Sequence, residues 1–514
     1  MTQRAEARLL LAGSLLLACL GIALRLWRIG ATPMWLDEAY SAYAASKGFA
    51  FLWQVVPSYE THPPFYYSLL RLWTLLFGDS LMGERALGVA CGLLTPPLIG
   101  WTASAATAWL GGDARSRRLA AFVAFALACV AIPLVEMTRE VRPYPVMILA
   151  YALAARALIG IAHAREAGRP LAGPAYAVYL LCLELMLWLH NLGPLWAVAL
   201  GFGSLIAFHA SRPKRTDWGW YLGGHAAVLL FYLPALGILM DQAPTWVHST
   251  WLRFSAKSLL DHLPVLYAVP GWQGLAAAIL AGLAIAAMIG VARGRRLLAM
   301  LAILSLVPTI LSILLSITVA PVFITRTLTP VAMPWLVLLA IGATAPRGRL
   351  AWLGGGAALI LGANLLAVDL QQRMGPPIQN WYGAIGWLRE RHRPDDLILA
   401  YPNEGALPLE RALKDKRLDW RVMPVPGPVP AFTPGGWHPT GSRGVVSLPK
   451  DQLEAIAHGA TLGKVRRLWL LRLGAATYDP GDSFLLALNH ERRTTDHYID
   501  GPIDIIGLEL REKR

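Results

Sequence analysis

The sequence predicts an all-α polytopic membrane protein of about eleven transmembrane helices, followed by a small C-terminal α/β extracytoplasmic domain. Composition is the first reason. Of 514 residues, 56% are hydrophobic and 15% charged, and mean hydropathy is +0.47. Soluble domains carry about a quarter charged residues. The second reason is recurrence: apolar stretches of roughly 18–25 residues, each long enough to cross a bilayer, fill most of 1–369. The third is a change near 370, after which the chain is polar, proline-rich and mixed in charge.

The first apolar run, 9–29, follows Arg4 and Arg8. It continues past Cys19 without a small-residue cleavage site, so it reads as an uncleaved first span. A first outer loop, 30–84, follows. Within it 64–77 is apolar but short, carries Arg71, and is bracketed by Pro63-Pro64 and Gly78; it reads as an interfacial helix. Further spans are expected at 85–110, 118–136, 144–162, 173–190, 193–210, 218–240, 263–291, 297–319, 327–345 and 350–369. An outer loop between the seventh and eighth spans carries Trp246, His248 and Trp251.

The connections expected on the inner side hold Arg115, Arg117, Arg118, Arg165, Arg169, Arg212, Lys214, Arg215, Arg293, Arg295, Arg296, Arg347 and Arg349. Basic inner loops place the N-terminus in the cytoplasm and the C-terminal domain, 370–514, in the periplasm or outside the cell. In that domain 378–392 and 403–415 read as helices, 396–400 and 465–471 as strands, and 423–445 as a long Pro- and Gly-rich loop.

The net charge of +14 and pI near 9.8 are explained by these loops, so no nucleic-acid partner is implied. Cys19, Cys91, Cys129 and Cys182 all fall in expected spans and read as packing residues, not a disulfide framework.

Chemistry concentrates at the outer ends of the spans. Asp37 and Glu38 adjoin just past the first span. As a solvated pair they would only cap a helix. At a membrane edge, Asp37 suits a general base that takes a proton from an acceptor hydroxyl. Glu38 would orient it or bind a divalent metal. His62 precedes two prolines, as a polar interfacial tip or a phosphate contact. Arg139 and Arg142 bracket Glu140, and their planar forks suit phosphate; the plain alternative is snorkelling cations beside a local acid. Tyr144 fits an aromatic belt or a substrate contact, and Arg326 has the same two readings as the other arginines. Glu184, inside an apolar run, is either functional or paired with Arg25 or Arg156.

These residues carry a resemblance: Asp37-Glu38 after the first span, His62-Pro63-Pro64-Phe65-Tyr66-Tyr67 before an apolar helix, Arg85 opening the next span, and Arg139-Glu140-Val141-Arg142-Pro143-Tyr144 after the third. The chain resembles the integral-membrane glycosyltransferases that include protein O-mannosyltransferases, lipid A aminoarabinose transferases and rhizobial lipopolysaccharide galacturonosyltransferases. The resemblance covers about 1–345, and the tail around Pro394–Pro402 is similar as well. It implies the C-superfamily glycosyltransferase fold and a sugar donor on a polyprenyl phosphate, used at the outer face. Asp37 then matches the first-loop catalytic acid, with Glu38 beside it. His62 matches the basic position before the prolines. Arg142 and Tyr144 match the Arg-Pro-Tyr element, and Arg139 a basic position near it. Glu140 joins them as a substrate-binding candidate. Whether it fills the family's second acidic position is open, which leaves the metal question open.

The expected function is therefore transfer of a sugar from a polyprenyl-phosphate donor to a glycan, lipopolysaccharide, lipid or protein acceptor. Three rivals remain at this point, the plainest being a non-enzymatic scaffold whose tail is a binding module. A multi-pass transporter or flippase predicts repeated halves and midplane charges, and neither is visible. A membrane O-acyltransferase would use His190-Asn191.

Overall fold

The apolar periods fold as helices wherever no Pro or Gly interrupts them. The computed structural model describes residues 3–60, 62–249, 252–267, 274–431 and 447–512. In chain order its first elements are α1 (Gln3–Leu26), α2 (Leu36–Ser46), α3 (Phe65–Phe77), α4 (Leu81–Trp109), α5 (Ala114–Val130) and α6 (Ile132–Met137). Then come α7 (Tyr144–Glu166), α8 (Pro174–Leu189), α9 (Gly193–Phe208), α10 (Arg215–Ser249) and α11 (Ala256–Leu266). They are followed by α12 (Gly274–Ile289), α13 (Ala292–Thr318), α14 (Thr325–Leu328), α15 (Ala332–Thr344) and α16 (Arg349–Arg373).

Among the described residues, seven helices are long and apolar enough to cross a membrane. The shorter apolar helices α8, α9 and α12 have 16 residues each, below the usual spanning length of about 20. The figure of eleven spans is thus not established by length and composition. Two expected spans also have different bounds. The stretch 118–136 breaks at Ala131, because Pro133 suits only the first turn of a new helix, α6. The stretch 263–291 divides into the end of α11 and all of α12. Trp251 lies outside the described residues, as do the side chains of Trp246 and His248.

The chain divides into two compact units. The first holds Met1–Trp27, Arg85–Gly237 and Leu252–Gly375; the second holds Arg28–Glu84, Ile238–Trp251 and Pro376–Arg514.

In the first unit the segment Thr325–Thr344 and helix α7 are mostly buried, whereas α1 and α16 are mostly exposed. Arg25 on α1 is buried and donates to the carbonyls of Cys129 (3.0 Å) and Ala128 (3.3 Å). It thereby satisfies carbonyls that the end of α5 leaves open. Glu184 accepts from Trp188 Nε1 at 2.7 Å, one turn along its own helix. Arg156 stacks on the Trp101 ring. Of the two readings of Glu184, the pairing with Arg25 or Arg156 is therefore not formed; both arginines are engaged elsewhere. The basic connections are stitched by Arg165–Asp217 at 2.8 Å, with Glu166 pairing Arg293 and Arg296.

In the second unit α17 (Trp381–Arg389) and α18 (Ala406–Lys416) accompany a five-stranded sheet. Its strands are β1 (Leu397–Ala400), β2 (Arg421–Pro424), β3 (Arg467–Leu473), β4 (Arg492–Asp500) and β5 (Ile503–Leu510), in the order β2-β1-β3-β5-β4. β2, β1 and β3 run parallel, and β5 and β4 are antiparallel to their neighbours. The pleat sends Leu397, Leu399, Leu468 and Leu470 into one core and Ile398, Ala400, Trp469 and Leu471 into the other. Burial on both faces explains why β1 and β3 are continuous apolar runs. β2, β4 and β5 add three strands to the two expected. The Pro- and Gly-rich stretch is irregular at 425–431, and 432–446 lies outside the described residues.

Candidate active site

The first group of candidates lies in the second unit. Asp37 and Glu38 occupy the first turn of α2, where the helix dipole favours negative charge. They are nonetheless only 7% and 2% exposed, unlike acids that merely cap a solvated helix. Four contacts fix the start and flank of α2. Leu36 N donates to Gln379 Oε1 at 3.0 Å, and Trp381 Nε1 donates to the same oxygen at 2.9 Å. Ser41 Oγ donates back to the Asp37 carbonyl, and Tyr43 OH to the Val429 carbonyl.

Tyrosines surround the next turn. Tyr40 OH donates to Tyr59 OH at 2.8 Å, and the Tyr40 ring meets Tyr67 edge-on. Burial, and then the nearby Glu60 charge, push the Tyr40 phenol well above its ordinary range. It thus stays a neutral hydroxyl. His62 is held by Glu60: Nδ1 and Glu60 Oε1 lie 2.6 Å apart, with Glu60 only 4% exposed. Pro63 and Pro64 then start α3, which ends at Gly78 with φ +83, a conformation suited to glycine. Glu60 was not singled out from the sequence, because a lone acid in an irregular loop has no period to mark it.

The second group lies in the first unit. Residues 138–143 link α6 to α7. Arg142 is 3% exposed, and its guanidinium stands over the Tyr144 ring at 5.9 Å. The Tyr144 ring lies 6.0 Å from that of His190. His190, buried at the end of α8, accepts from Leu192 N through Nδ1. The structure therefore adds His190 to Arg142 and Tyr144. Arg139 donates to the Trp27 carbonyl at 2.7 Å, and the Glu140 amide donates to the Met137 carbonyl. Arg326 sits on α14, which packs against α6 and α11. The neighbouring Thr325 Oγ1 and His262 Nδ1 are 2.7 Å apart.

Two glycines let this segment seat. A Cβ at Gly88 would strike the Thr138 carbonyl and one at Gly92 the Thr138 side chain. Gly88-Val89-Ala90-Cys91-Gly92 is a small-xxx-small face of the kind that brings membrane helices close. That spacing is the sequence signal that marks where the segment seats. Among the described residues, no group of three or more His, Cys, Asp or Glu side chains is placed to hold a metal.

No family model and no curated protein matches the chain. Solved structures do. ArnT from Cupriavidus metallidurans in the apo state is similar at 14% identity and a TM-score of 0.57, over 98% of each chain. The same protein bound to undecaprenyl phosphate is similar at 13% and 0.55, again over 98% of each. The Archaeoglobus fulgidus oligosaccharyltransferase in complex with Zn and sulfate is similar at 12% and 0.51, over 96% of this chain and 72% of that one. The chain has the fold these proteins share, as the sequence resemblance implied, and with its apolar helices it is an integral membrane protein.

Proposed function

We propose that the chain is a membrane glycosyltransferase that moves a sugar from a polyprenyl-phosphate donor to an acceptor hydroxyl at the outer face of the membrane. One observation carries the reading. Two carboxylates are buried in the first turn of α2, in a chain sharing its fold with a protein captured with undecaprenyl phosphate.

In this reading the Asp37 carboxylate accepts the acceptor's proton as its oxygen bonds the anomeric carbon. The bond from that carbon to the phosphate oxygen breaks, and the lipid phosphate leaves with the electron pair. Arg142 stabilises the developing charge, helped by Arg139 and Arg326, through paired N–H donors in a water-poor setting. Glu38 orients the acceptor or Asp37. His62, tied to Glu60, offers its second nitrogen to phosphate or sugar, and Tyr144 and Glu140 shape the substrate contact.

We further propose eleven spans with the N-terminus cytoplasmic, a transferase domain over 1–369, and an extracytoplasmic domain over 370–514. The basic connections support the orientation. A C-terminal alkaline phosphatase fusion should then be active; a bright cytoplasmic fluorescent fusion there overturns the orientation.

The deciding experiment uses proteoliposomes with the purified chain and a radiolabelled polyprenyl-phosphate sugar. Transfer of label to a water-soluble or lipid acceptor is the expected result. Movement of the intact lipid-linked sugar between leaflets without transfer identifies a flippase instead. Acyl transfer dependent on His190 identifies the acyltransferase.

A further inference from the structure

The first unit contains a groove of about 1200 Å³ among α1, α5, α12, α15 and α16. This exceeds the roughly 300–1,000 Å³ of ordinary small-molecule pockets. Its polarity is graded. Along most of its length it is lined by Leu, Ala, Val, Ile, Phe and Pro side chains and by glycines. Apart from the glycines and the backbone, its polar lining is Thr107, Asp113, Arg115, Ser116, Thr344 and Arg347, all at the α4–α5 and α15–α16 connections. Along α5 the lining runs from Asp113 to Val130, about 25 Å at 1.5 Å per residue. That is deeper than one leaflet's half of the roughly 30 Å hydrocarbon core.

The groove is not the proposed donor site. Its mouth lies at the end of the bundle where Glu166 closes α7 and pairs Arg293 and Arg296. Arg142, Tyr144 and His190 lie at the opposite end of α7.

The mouth is cationic. Arg347 is exposed and has no ion-pair partner among the described residues. Arg115 is engaged by a single carboxylate, Glu6, at 2.7 Å. Asp113 is turned to its own helix, accepting from Ser116 N at 2.7 Å. Arg117, Arg118 and Arg349, neighbours in sequence of lining residues, are exposed. A long apolar slot ending at Arg347, which has no ion-pair partner among the described residues, and at Arg115, whose guanidinium shares one edge with Glu6, matches a molecule with hydrocarbon chains and one anionic head.

We propose that this groove binds one anionic diacyl phospholipid, its phosphate at Arg347 and Arg115 and its chains along α5 and α16. It is a lipid site at the basic end of the bundle, separate from the donor. Each arginine near an anionic surface is worth roughly a fivefold preference.

The test uses the full-length protein purified in detergent and given equimolar phosphatidylglycerol and phosphatidylcholine with identical chains. Retained lipid is read by native mass spectrometry, which depends neither on topology nor on sugar transfer, so its failure and that of the proposed activity are distinguishable. Phosphatidylglycerol should be retained at least roughly fivefold over phosphatidylcholine, and Arg347→Ala should lower that ratio roughly fivefold; Arg347→Gln replaces it if the alanine variant does not fold. A Cβ at Gly355 meets nothing within 4 Å, so Gly355→Leu should fill the slot without a clash and lower retention of both lipids. Equal retention of the two lipids overturns the proposal in favour of an unselective lipid belt. So does a ratio unmoved by both Arg347→Ala and Arg115→Ala, or wild-type retention by Gly355→Leu. Displacement by equimolar undecaprenyl phosphate overturns the diacyl assignment.

Discussion

Around residues 138–144 the first unit relies on shape. Gly88 and Gly92 remove side-chain bulk so that Thr138 seats against α4, and Arg142 follows from where that backbone lies. Around α2 the second unit relies on pairing. Gln379 bonds the helix start, Glu60 grips His62, and Arg411 reaches Glu84 and Asp415. The contrast follows from the surroundings. Helices among lipid tails gain little from burying more apolar surface, so close approach of small residues organises them. Segments that fold in water gain from burial, and the charges they bury need partners.

The largest effect should come from Asp37→Asn. It keeps size but cannot take a proton, so kcat should fall about 10²–10⁴-fold with donor binding intact. Glu38→Gln should cost less; full transfer by Asp37→Asn would end the general-base assignment. On the pairing side, Arg411→Met strands the buried Glu84. It should cost about 3–5 kcal/mol of stability, read by thermal unfolding, and Arg411→Met with Glu84→Gln should recover most of it. A loss of stability no greater than that of a surface mutation would mean the pair is not essential there.

Next comes the shape side. Arg142→Lys retains charge but loses the fork, and kcat/KM should drop roughly ten- to a hundredfold. Wild-type rates with lysine would remove Arg142 from phosphate binding. Gly92→Leu should cost about 1–3 kcal/mol by overpacking and lower activity as Arg142 is displaced. Gly201→Leu, where a Cβ meets nothing within 4 Å, is the control. Equal behaviour of the two would show that close approach is not what seats the segment.

The smallest effect concerns His392. Its ring stacks on Trp420 at 4.3 Å, and burial holds its pKa below the ordinary value, with Asp396 opposing and Arg467 adding. The unfolded chain therefore binds the proton more readily, so stability falls as pH drops below about 6.5. His392→Phe should flatten that loss between pH 7.5 and 5.5, measured by unfolding midpoints. An unchanged slope would assign the acid sensitivity to other groups.

What could be read from the sequence follows from the same physics. α7 is mostly buried and the strands β1 and β3 are buried on both faces, while the outer side of α13 is exposed but apolar, so all four apolar runs are continuous and visible. β4 is largely exposed, and Arg492–Asp500 carries Thr, Asp and Arg that hide a strand. Its hairpin partner was still signalled by Asp500-Gly501, where Gly501 has φ +56, a conformation that tight two-residue turns favour. The acids Asp37 and Glu38 stood out because carboxylates are rare at a membrane edge. Glu60 and Gln379 did not, because their roles come from contacts that no local spacing encodes, and His190 stands out only as the centre of the rival acyltransferase reading. Glu184 is the reverse case: its hydrogen-bond donor is local, Trp188 four residues away, not an arginine on another helix.

The Gln379 contact also sets a schedule for synthesis. Leu36 meets its partner 343 residues later in the chain, and Glu84 meets Arg411 after a separation of 327. At about 5–20 residues per second, the first loop waits roughly 20–70 s before these partners are made. During that interval α2 carries its two carboxylates without the segments that enclose them. A chain that ended before residue 376 would keep helices α1–α16 in its sequence and lack the residues that bond the start of α2. Completion of the last quarter of the chain is thus the step that licenses the first.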